Sequence, residues 1–440
     1  MWRIPRRRRT GCSSHAEGGA NPIECGSGDN EAMAMSQLDA IRISAEREAV
    51  DAADFRWDGN GFEAGIGIAA SGGGFRAMLF HVGAFIRLAE LGLLQQARRI
   101  SSVSGGSIAT GWLASVWPAL VKADFANMGD AFVEPMLAFA RARIDVIDAI
   151  IGLLPGTSAA QQVAKSYDKH LFHGRSLQDL PDQPQFVFCA TNLQTGVLWR
   201  FCKAYAGDYL VGRVDRPHLL LAQAVAASSA FPPFLSPLEL KFPDGSFQDW
   251  PDASPLPVQA IGGFRRNVIL TDGGVYDNHG IEALVKRFAT LFVSDGGAPF
   301  ARNSRLCRNW IGQLRRILDV SDNQVRALRR RDLMGRFEAG AAFTDEDALV
   351  AAQAYARFGS YWGIDTDTSK LAPENALPCS PAEVSALASA PTRLSDLGDA
   401  VSKKLVNWGY AICDRSVRAK YRGSVRPRPP TWPFPKQSLD

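Results

Sequence analysis

Short apolar runs alternate with longer helical patterns through the middle of the 440-residue chain. The clearest runs are residues 66–70, 100–103, 186–190 and 268–270. After the first run, apolar residues recur at spacings of three and four, which predicts an amphipathic helix. They are Leu79, Val82, Ile86, Ala89 and Leu93. Strands that alternate with helices predict an α/β protein of three layers, in which a central, mostly parallel sheet is flanked by helices.

The chain divides by composition into five segments. Residues 1–34 are polar and Gly-rich, which predicts a disordered basic arm, and residues 35–61 predict a charged helix and a linker. The alternating pattern fills residues 62–300, which therefore predict the α/β domain. Residues 301–420 predict a helical extension packed on that domain, and the prolines of residues 421–440 predict an extended tail.

Charge and cysteine content narrow the classes of protein. The net charge is only +4, so the chain lacks the basic field of a dedicated nucleic-acid binder, and we expect no nucleic acid as a partner. Its seven cysteines are scattered and form no zinc-type cluster, which predicts a reducing compartment. No apolar stretch follows Arg6 to Arg9, and no run of about 18 apolar residues exists. We therefore expect a cytoplasmic protein.

A serine lies where the second apolar run meets the helix after it. Residues 102–106, SVSGG, approximate the nucleophile elbow G-x-S-x-G. That turn needs small residues two before and two after the serine, because the strand and the helix pass closely, and Ser102 and Gly106 meet this need. We expect Ser104 to be a nucleophile held on a strained turn. Small-residue turns before helices are also common in proteins that have no nucleophile.

Three consecutive glycines, Gly72, Gly73 and Gly74, follow the first apolar run and open its helix. A backbone without Cβ atoms can turn its N–H groups outward, and two such donors can bind the oxyanion of a tetrahedral intermediate. A Gly-rich loop between a strand and a helix also binds phosphates. The spacing matches neither the dinucleotide-binding nor the P-loop motif, but this loop alone leaves both interpretations open.

A carboxylate follows the apolar run at residues 268–270. Asp272 and the two glycines after it would approach a neighbouring turn closely, and burial would raise the pKa of Asp272 from about 4 toward the working range of a base. A second Asp-Gly-Gly begins at Asp295, and Asp-Gly turns are common in any protein. We expect Asp272 to be the base, with His279 in a supporting or surface position.

These motifs, and their order along the chain, resemble the signatures of the bacterial type of patatin-like phospholipases. The signatures are GGGFR, SVSGG and DGG, and they are joined by ATNLQTG at 190–196 and AASSAFPP at 226–233. The stretch SGGGFRAM at 71–78 is also similar to the oxyanion loop of cytosolic phospholipases of the same fold. The resemblance covers about residues 62–300.

The resemblance implies that residues 62–300 form a patatin-like catalytic domain with a Ser–Asp dyad. Ser104 would attack the substrate, Asp272 would take its proton, and the loop of Gly72, Gly73 and Gly74 would form the oxyanion hole. Arg76 matches the basic residue after the family's glycines and would brace that loop or meet a substrate phosphate. Ser102 replaces the first glycine of the elbow, a change that removes no catalytic group.

The implied activity is hydrolysis of acyl esters of glycerophospholipids or lysophospholipids through an acyl-enzyme, without a metal or cofactor. A general carboxylesterase for soluble short-chain esters is one alternative. Another is a membrane-degrading effector of bacterial antiviral defence, a role of some similar enzymes. With a phospholipid substrate we expect transient, peripheral membrane contact through the apolar residues near 131–155 and 231–240. Nothing in the sequence indicates an oligomeric state.

Overall fold

In the described part of the chain, the apolar runs form the centre of one eleven-stranded sheet. The strands are β1 (Glu63–Ala70), β2 (Ala97–Val103), β3 (Gln185–Asn192), β4 (Leu198–Phe201), β5 (Tyr205–Asp208), β6 (Gly212–Asp215), β7 (Leu238–Leu240), β8 (Phe247–Gln248), β9 (Val268–Asp272), β10 (Phe288–Asp295) and β11 (Phe358–Gly363). Their order is β11-β10-β1-β2-β3-β4-β5-β6-β8, with β9 paired to both β3 and β7. The carboxyl ends of β1, β2 and β10 therefore meet at one edge of the sheet.

The neighbouring strands β11, β10, β1, β2 and β3 run parallel, which confirms the predicted central sheet. The flank from β4 to β8, together with β9, is antiparallel. Sequence analysis did not find most of this flank, because β4 to β8 are two to four residues long and give no periodic signal. The antiparallel pairing matters for the site, since it sets Asp272 at the end of β9 opposite Ala190 of β3.

Helices flank the sheet. They are α1 (Gly74–Glu90), α2 (Gly105–Lys122), α3 (Glu134–Arg141), α4 (Ala159–Tyr167), α5 (Leu221–Ser228), α6 (Val258–Arg266), α7 (Gly274–Asp277), α8 (Trp310–Gly340), α9 (Glu346–Ala351), α10 (Pro381–Ala388) and α11 (Asp399–Lys420). Alternate residues of β1 show the layers. Ile68 packs into the main core with residues of α1 and α11, whereas its neighbour Ala69 packs into a second core with Leu284 and Leu333. This arrangement is the predicted three-layer α/β fold.

Helices α1 and α11 cross with their backbones almost in contact. A Cβ atom on Gly83 would lie 1.9 Å from the carbonyl oxygen of Val406, and one on Gly409 would lie 1.8 Å from that of Phe80. Only glycine allows such an approach. The buried guanidinium of Arg87 on α1 also pairs with Asp414 on α11 at 2.7 Å, so the carboxyl-terminal helix is anchored directly to the helix that follows the triple-glycine loop.

The region after residue 300 also contributes to the sheet. It supplies β11, which pairs in parallel with β10. The final twenty residues, which the sequence predicts to be an extended tail, contact the domain: Leu439 is fully buried, and the side-chain amide of Asn407 donates to the carbonyl oxygens of Phe434 and Gln437.

The computed structural model describes residues 62–142, 158–250, 258–306, 309–352 and 355–440. These residues belong to one structural unit that runs from Ala52 to Asp440. The predicted basic arm (1–34), the predicted helix and linker (35–61) and part of the apolar stretch 131–155 lie outside the described residues. Within the described ranges, no helix is both long and apolar enough to cross a membrane.

Candidate active site

Ser104 occupies the turn between β2 and α2, as the elbow motif predicts. Its backbone has φ 51° and ψ −120°, a conformation that is strained for a residue with a side chain. The two glycines after it are required by close packing: a Cβ atom on Gly105 would lie 2.1 Å from the carbonyl oxygen of Gly74, and one on Gly106 would lie 2.3 Å from that of Ala70. The elbow is therefore pressed against the triple-glycine loop.

A buried network of hydroxyl groups holds the elbow from below. The backbone N–H of Ser104 donates to Ser228 Oγ at 3.0 Å, and Ser228 Oγ in turn donates to the carbonyl oxygen of Cys189 at 2.6 Å. Ser102 Oγ accepts hydrogen bonds from Ser107 at 3.1 Å and from Thr110 at 2.6 Å. The hydroxyl of Ser102, which departs from the elbow consensus, is thus used as an acceptor for the first turn of α2.

The segment that contains Ser228 also positions the predicted base. The N–H of Asp272 donates to the carbonyl oxygen of Ala230 at 3.0 Å, and the N–H of Gly273 donates to that of Ser228 at 3.2 Å. One short segment at the end of α5 therefore fixes both Ser104 and Asp272. Sequence analysis noted AASSAFPP as a family-like stretch but did not assign it this role, because the contacts join residues more than forty positions apart.

Asp272 is 4% exposed, and its two carboxylate oxygens differ. Oδ1 accepts the N–H of Gly274 at 2.7 Å. Oδ2 has no hydrogen-bond partner among the described residues. Burial raises the pKa of Asp272 to about 7, although the Gly274 N–H and the nearby Ser104 hydroxyl lower it in part. The carboxyl group therefore has a free oxygen close to Ser104 and a pKa suited to accepting a proton near neutral pH.

The glycine loop presents two backbone donors. The N–H of Gly72 donates to the carbonyl oxygen of Asn278 at 3.0 Å and is therefore already used. Gly73 and Gly74 have φ values of 144° and 62°, which residues with side chains rarely adopt. Neither of their N–H groups has an acceptor within the described part of the chain. Of the three predicted loop glycines, Gly73 and Gly74 are thus free to donate to a substrate oxygen, while Gly72 packs against Ser104.

Arg76 braces the glycine loop from behind. It is 1% exposed, its Nε donates to the carbonyl oxygen of Gly296 at 3.1 Å, and its Nη1 donates to that of Ala390 at 2.6 Å. Burial lowers the pKa of its guanidinium to about 10. Of the two roles expected for Arg76, these contacts favour bracing over binding of a substrate phosphate.

A segment of the carboxyl-terminal region also contacts this loop, which sequence analysis did not anticipate. The carbonyl oxygen of Arg393 accepts the N–H of Phe75 at 3.0 Å. A Cβ atom on Gly74 would lie 2.7 Å from the same oxygen. Residues 390–393, which follow α10, therefore line the back of the candidate oxyanion hole together with Arg76.

His81 on α1 belongs to the support of this loop. Its Nε2 lies 2.9 Å from the carbonyl oxygen of Ser71, and its Nδ1 lies 2.8 Å from Ser294 Oγ. Because a carbonyl oxygen can only accept, Nε2 carries the proton and Nδ1 accepts from Ser294, whose oxygen in turn accepts the Trp362 indole N–H. Burial lowers the pKa of His81 to about 4, so the ring is neutral in this chain of hydrogen bonds.

The second Asp-Gly-Gly has a different environment. Asp295 accepts hydrogen bonds from the Gly297 N–H at 2.9 Å, the Tyr361 hydroxyl at 2.8 Å and His279 Nε2 at 3.1 Å, and Arg326 lies 3.4 Å away. Although burial opposes it, the Arg326 charge and these donors hold the pKa of Asp295 well below its usual range. Both oxygens of Asp295 are therefore occupied, and His279 is engaged with Asp295.

The described residues contain no cluster of three or more His, Cys, Asp or Glu side chains arranged to hold a metal ion. The groups that the site does offer are a hydroxyl on a strained turn, a buried carboxylate with one free oxygen, and two unused backbone N–H groups. Together, these groups can supply a nucleophile, a base and two donors to a developing oxyanion.

Residues 68–285 match the family model of the patatin-like phospholipases. The chain thus contains a patatin-like phospholipase domain. No curated protein sequence matches the chain.

Solved structures that match the chain include the human GIVD cytosolic phospholipase A2, with 14% identity, a TM-score of 0.47, and coverage of 89% of this chain and 63% of the human chain. VipD from Legionella pneumophila has 14% identity, a TM-score of 0.34, and coverage of 81% and 67% of the two chains. The chain thus spans less than two thirds of the human enzyme's length. At this level of similarity, neither structure says what this chain acts on.

Proposed function

We propose that this chain is a serine lipid acyl hydrolase that cleaves acyl esters of glycerophospholipids or lysophospholipids. Ser104 is the nucleophile, Asp272 is the base, and the N–H groups of Gly73 and Gly74 form the oxyanion hole. The family match supports a lipid substrate. The observation that carries the catalytic assignment is the free Oδ2 of Asp272, a buried carboxylate oxygen without a hydrogen-bond partner among the described residues beside the Ser104 hydroxyl.

In the first half of the reaction, Ser104 Oγ forms a bond to the carbonyl carbon of the ester. Its proton passes to Asp272 Oδ2, and the carbonyl oxygen becomes an oxyanion that accepts from Gly73 and Gly74. When the tetrahedral intermediate collapses, the bond from carbon to the glycerol oxygen breaks. That oxygen takes the proton from Asp272, and the acyl group stays on Ser104.

In the second half, a water molecule attacks the acyl-enzyme. Asp272 takes one proton from the water and then returns it to Ser104 Oγ as the acyl–serine bond breaks, which releases the fatty acid. A pKa of about 7 suits both steps, because the group must accept a proton and release it again. The same pair of residues thus serves acylation and deacylation.

Asp295 is a poor candidate for the base. Its oxygens are filled by Gly297, Tyr361 and His279, and its pKa is held low by Arg326. For a buried carboxylate that is paired with an arginine, loss of these hydrogen bonds costs a large amount of free energy. The two Asp-Gly-Gly motifs, which the sequence does not separate on local grounds, therefore differ in the chemistry they can perform.

The catalytic test uses single substitutions. Ser104→Ala and Asp272→Asn should each lower kcat by roughly four powers of ten with the fold intact. Ser115→Ala is a matched control, because Ser115 is a buried serine of α2 whose hydroxyl only bonds the carbonyl oxygen of Gly111. Asp295→Asn should destabilise the protein but leave most activity in the folded fraction. Loss of activity in Asp295→Asn with retention in Asp272→Asn would contradict the assignment.

The substrate test compares phospholipid vesicles, lysophospholipid micelles and a short p-nitrophenyl ester. Release of fatty acid from either lipid, lost in Ser104→Ala, supports the proposal. If the protein hydrolyses only the short ester, and no lipid whatever its charge, then the chain is a general carboxylesterase. A fluorophosphonate probe should label Ser104, and mass mapping of the labelled peptide checks the nucleophile independently of substrate.

A further inference from the structure

The first two thirds of α8 carries an apolar face that nothing in the described structure covers. Sequence periodicity predicts a stripe there, which would ordinarily pack on the domain. In the structure the stripe faces solvent, with exposed fractions between 37% and 73%. Its members are Trp310, Leu314, Ile317, Leu318, Val325 and Leu328. From the first to the last of them the helix is about 27 Å long, far more than an isolated exposed side chain.

The opposite side of α8 holds the helix on the domain. Arg326 Nη1 donates to the carbonyl oxygen of Ala298 at 2.9 Å, and Arg329 Nη1 pairs with Glu282 at 2.7 Å. Leu333, one turn further on, is buried in the second core. The orientation of α8 is therefore set by its polar side and its final turns, and this leaves the apolar stripe outward.

Exposed basic side chains accompany the stripe. Arg302 and Arg305 precede the helix, and Arg315 and Arg331 lie on it. In the described part of the chain, none of these four arginines forms an ion pair. Of the acidic residues in this stretch, Asp319 lies opposite the stripe by helical periodicity, and Asp322 lies on the side of α8 toward the candidate active site, where its charge acts on Asp272. An apolar face with an exposed Trp and with unpaired arginines around it has the composition of a helix that lies in the headgroup region of an anionic bilayer.

The carboxyl-terminal end of the stripe lies near the candidate active site. Arg329 Nη2 donates to the carbonyl oxygen of Tyr276 on α7 at 3.3 Å, and α7 follows Asp272 directly. Val275 lies between Asp272 and Tyr276 in the sequence, and its side chain is about half exposed. The charge of Asp322 on α8 also acts on Asp272. A surface that rests on α8 would therefore be next to the site where the ester is cleaved.

We infer that residues 310–328 of α8 form the surface by which the protein binds an anionic phospholipid bilayer. This inference rests on the proposed function, since it names where the lipid aggregate binds. A second copy of the chain fits the face less well, because two-fold pairing of the stripe would bring the same unpaired arginines of both copies together. On a bilayer, the stripe enters the acyl boundary and the arginines contact phosphate groups.

The test measures flotation of the full chain with phosphatidylcholine vesicles, with and without phosphatidylglycerol. The double variant Leu314→Glu with Ile317→Glu should weaken binding about a hundredfold or more, because two buried aliphatic side chains are lost. Val121→Glu, at a half-exposed apolar position of α2, is the matched control. Arg315→Gln with Arg331→Gln should weaken binding only to the vesicles that contain phosphatidylglycerol.

Hydrolysis of a short p-nitrophenyl ester separates this inference from the proposed function. The double glutamate variant should keep this activity and its thermal midpoint, while it loses vesicle binding. Unchanged vesicle binding overturns the inference. A large drop in thermal stability of the variant also overturns it, because another segment of this chain would then cover the stripe. A dimer of the wild type in solution that the variant abolishes overturns it as well. If the wild type binds vesicles through the stripe but cleaves no ester, the proposed function fails and the docking surface stands.

Discussion

The raised pKa of Asp272 has a consequence for stability that can be measured without any substrate. In the unfolded chain its pKa is about 4, and in the folded protein burial raises it to about 7. Below about pH 4 both states hold the proton. Between pH 4 and 7 the folded state holds a proton that the unfolded state has released, so the free energy of unfolding falls as pH rises. Above pH 7 the full penalty remains, at about 4 kcal/mol for a shift of three units.

Asp272→Asn should remove this penalty and the activity together. Asparagine is neutral at every pH, and its Oδ1 can still accept the N–H of Gly274. The variant should therefore be about as stable as the wild type near pH 4 and more stable by up to about 4 kcal/mol at pH 8. It would be an inactive enzyme with a more stable fold, as expected where a site is strained for function.

Urea unfolding of both proteins from pH 4 to pH 8 measures this difference. Both proteins contain every other group with a shifted pKa, so the contributions of those groups cancel in the difference between the two free energies of unfolding. One such group is Asp208, whose pKa burial raises to about 6. Asp244→Asn, at an exposed carboxylate, should show no pH-dependent gain of this size. If the stability difference between Asp272→Asn and the wild type stays the same from pH 4 to pH 8, then Asp272 is not a base with a raised pKa. In the wild type, kcat/KM should rise with pH through about 7.

Three further substitutions test the supports of the site. Ser228→Ala removes the acceptor of the Ser104 N–H and should destabilise the fold by about 1–3 kcal/mol in urea, with a lower kcat. Gly409→Ala would place a Cβ 1.8 Å from the Phe80 carbonyl oxygen, so it should lower stability by about 3 kcal/mol or more, seen as a lower Tm. Arg76→Lys keeps the charge but cannot make both carbonyl contacts. It should lower kcat more than it changes KM, and equal effects on both would contradict a bracing role.

The elements closest to the chemistry were predictable because each is encoded locally. The elbow at Ser104 needs small neighbours within two positions, and a loop of φ values such as those of Gly73 and Gly74 needs glycine. β1, β2, β3 and β9 each correspond to one of the four apolar runs of the sequence. Steric and periodicity requirements act on residues that are close in sequence, so these features can be predicted without a structure.

The residues that support the site cannot be recognised from local sequence in this way. The hydroxyl of Ser228 meets the Ser104 N–H across 124 positions, and a serine at the end of a helix has no feature that marks this contact. The carbonyl oxygens of Ala390 and Arg393 act through the backbone, so their residue types carry almost no information. β4 to β8 are too short for periodicity to identify. What the sequence conceals here is mainly long-range hydrogen bonding, which depends on topology.

The position of the glycine loop therefore depends on two parts of the chain that are far apart in sequence. On one side Gly296, after β10, bonds Arg76 and Ser71. On the other side residues 390–393 contact Phe75 and Arg76, and they lie between α10 and α11, outside the matched region 68–285. Because backbone donors act only when their orientation is fixed, the carboxyl-terminal region helps to position the proposed oxyanion hole. A chain cut after residue 300 would retain Ser104 and Asp272, yet it would lack the residues that support one side of the loop proposed to stabilise the oxyanion, so we expect it to be inactive.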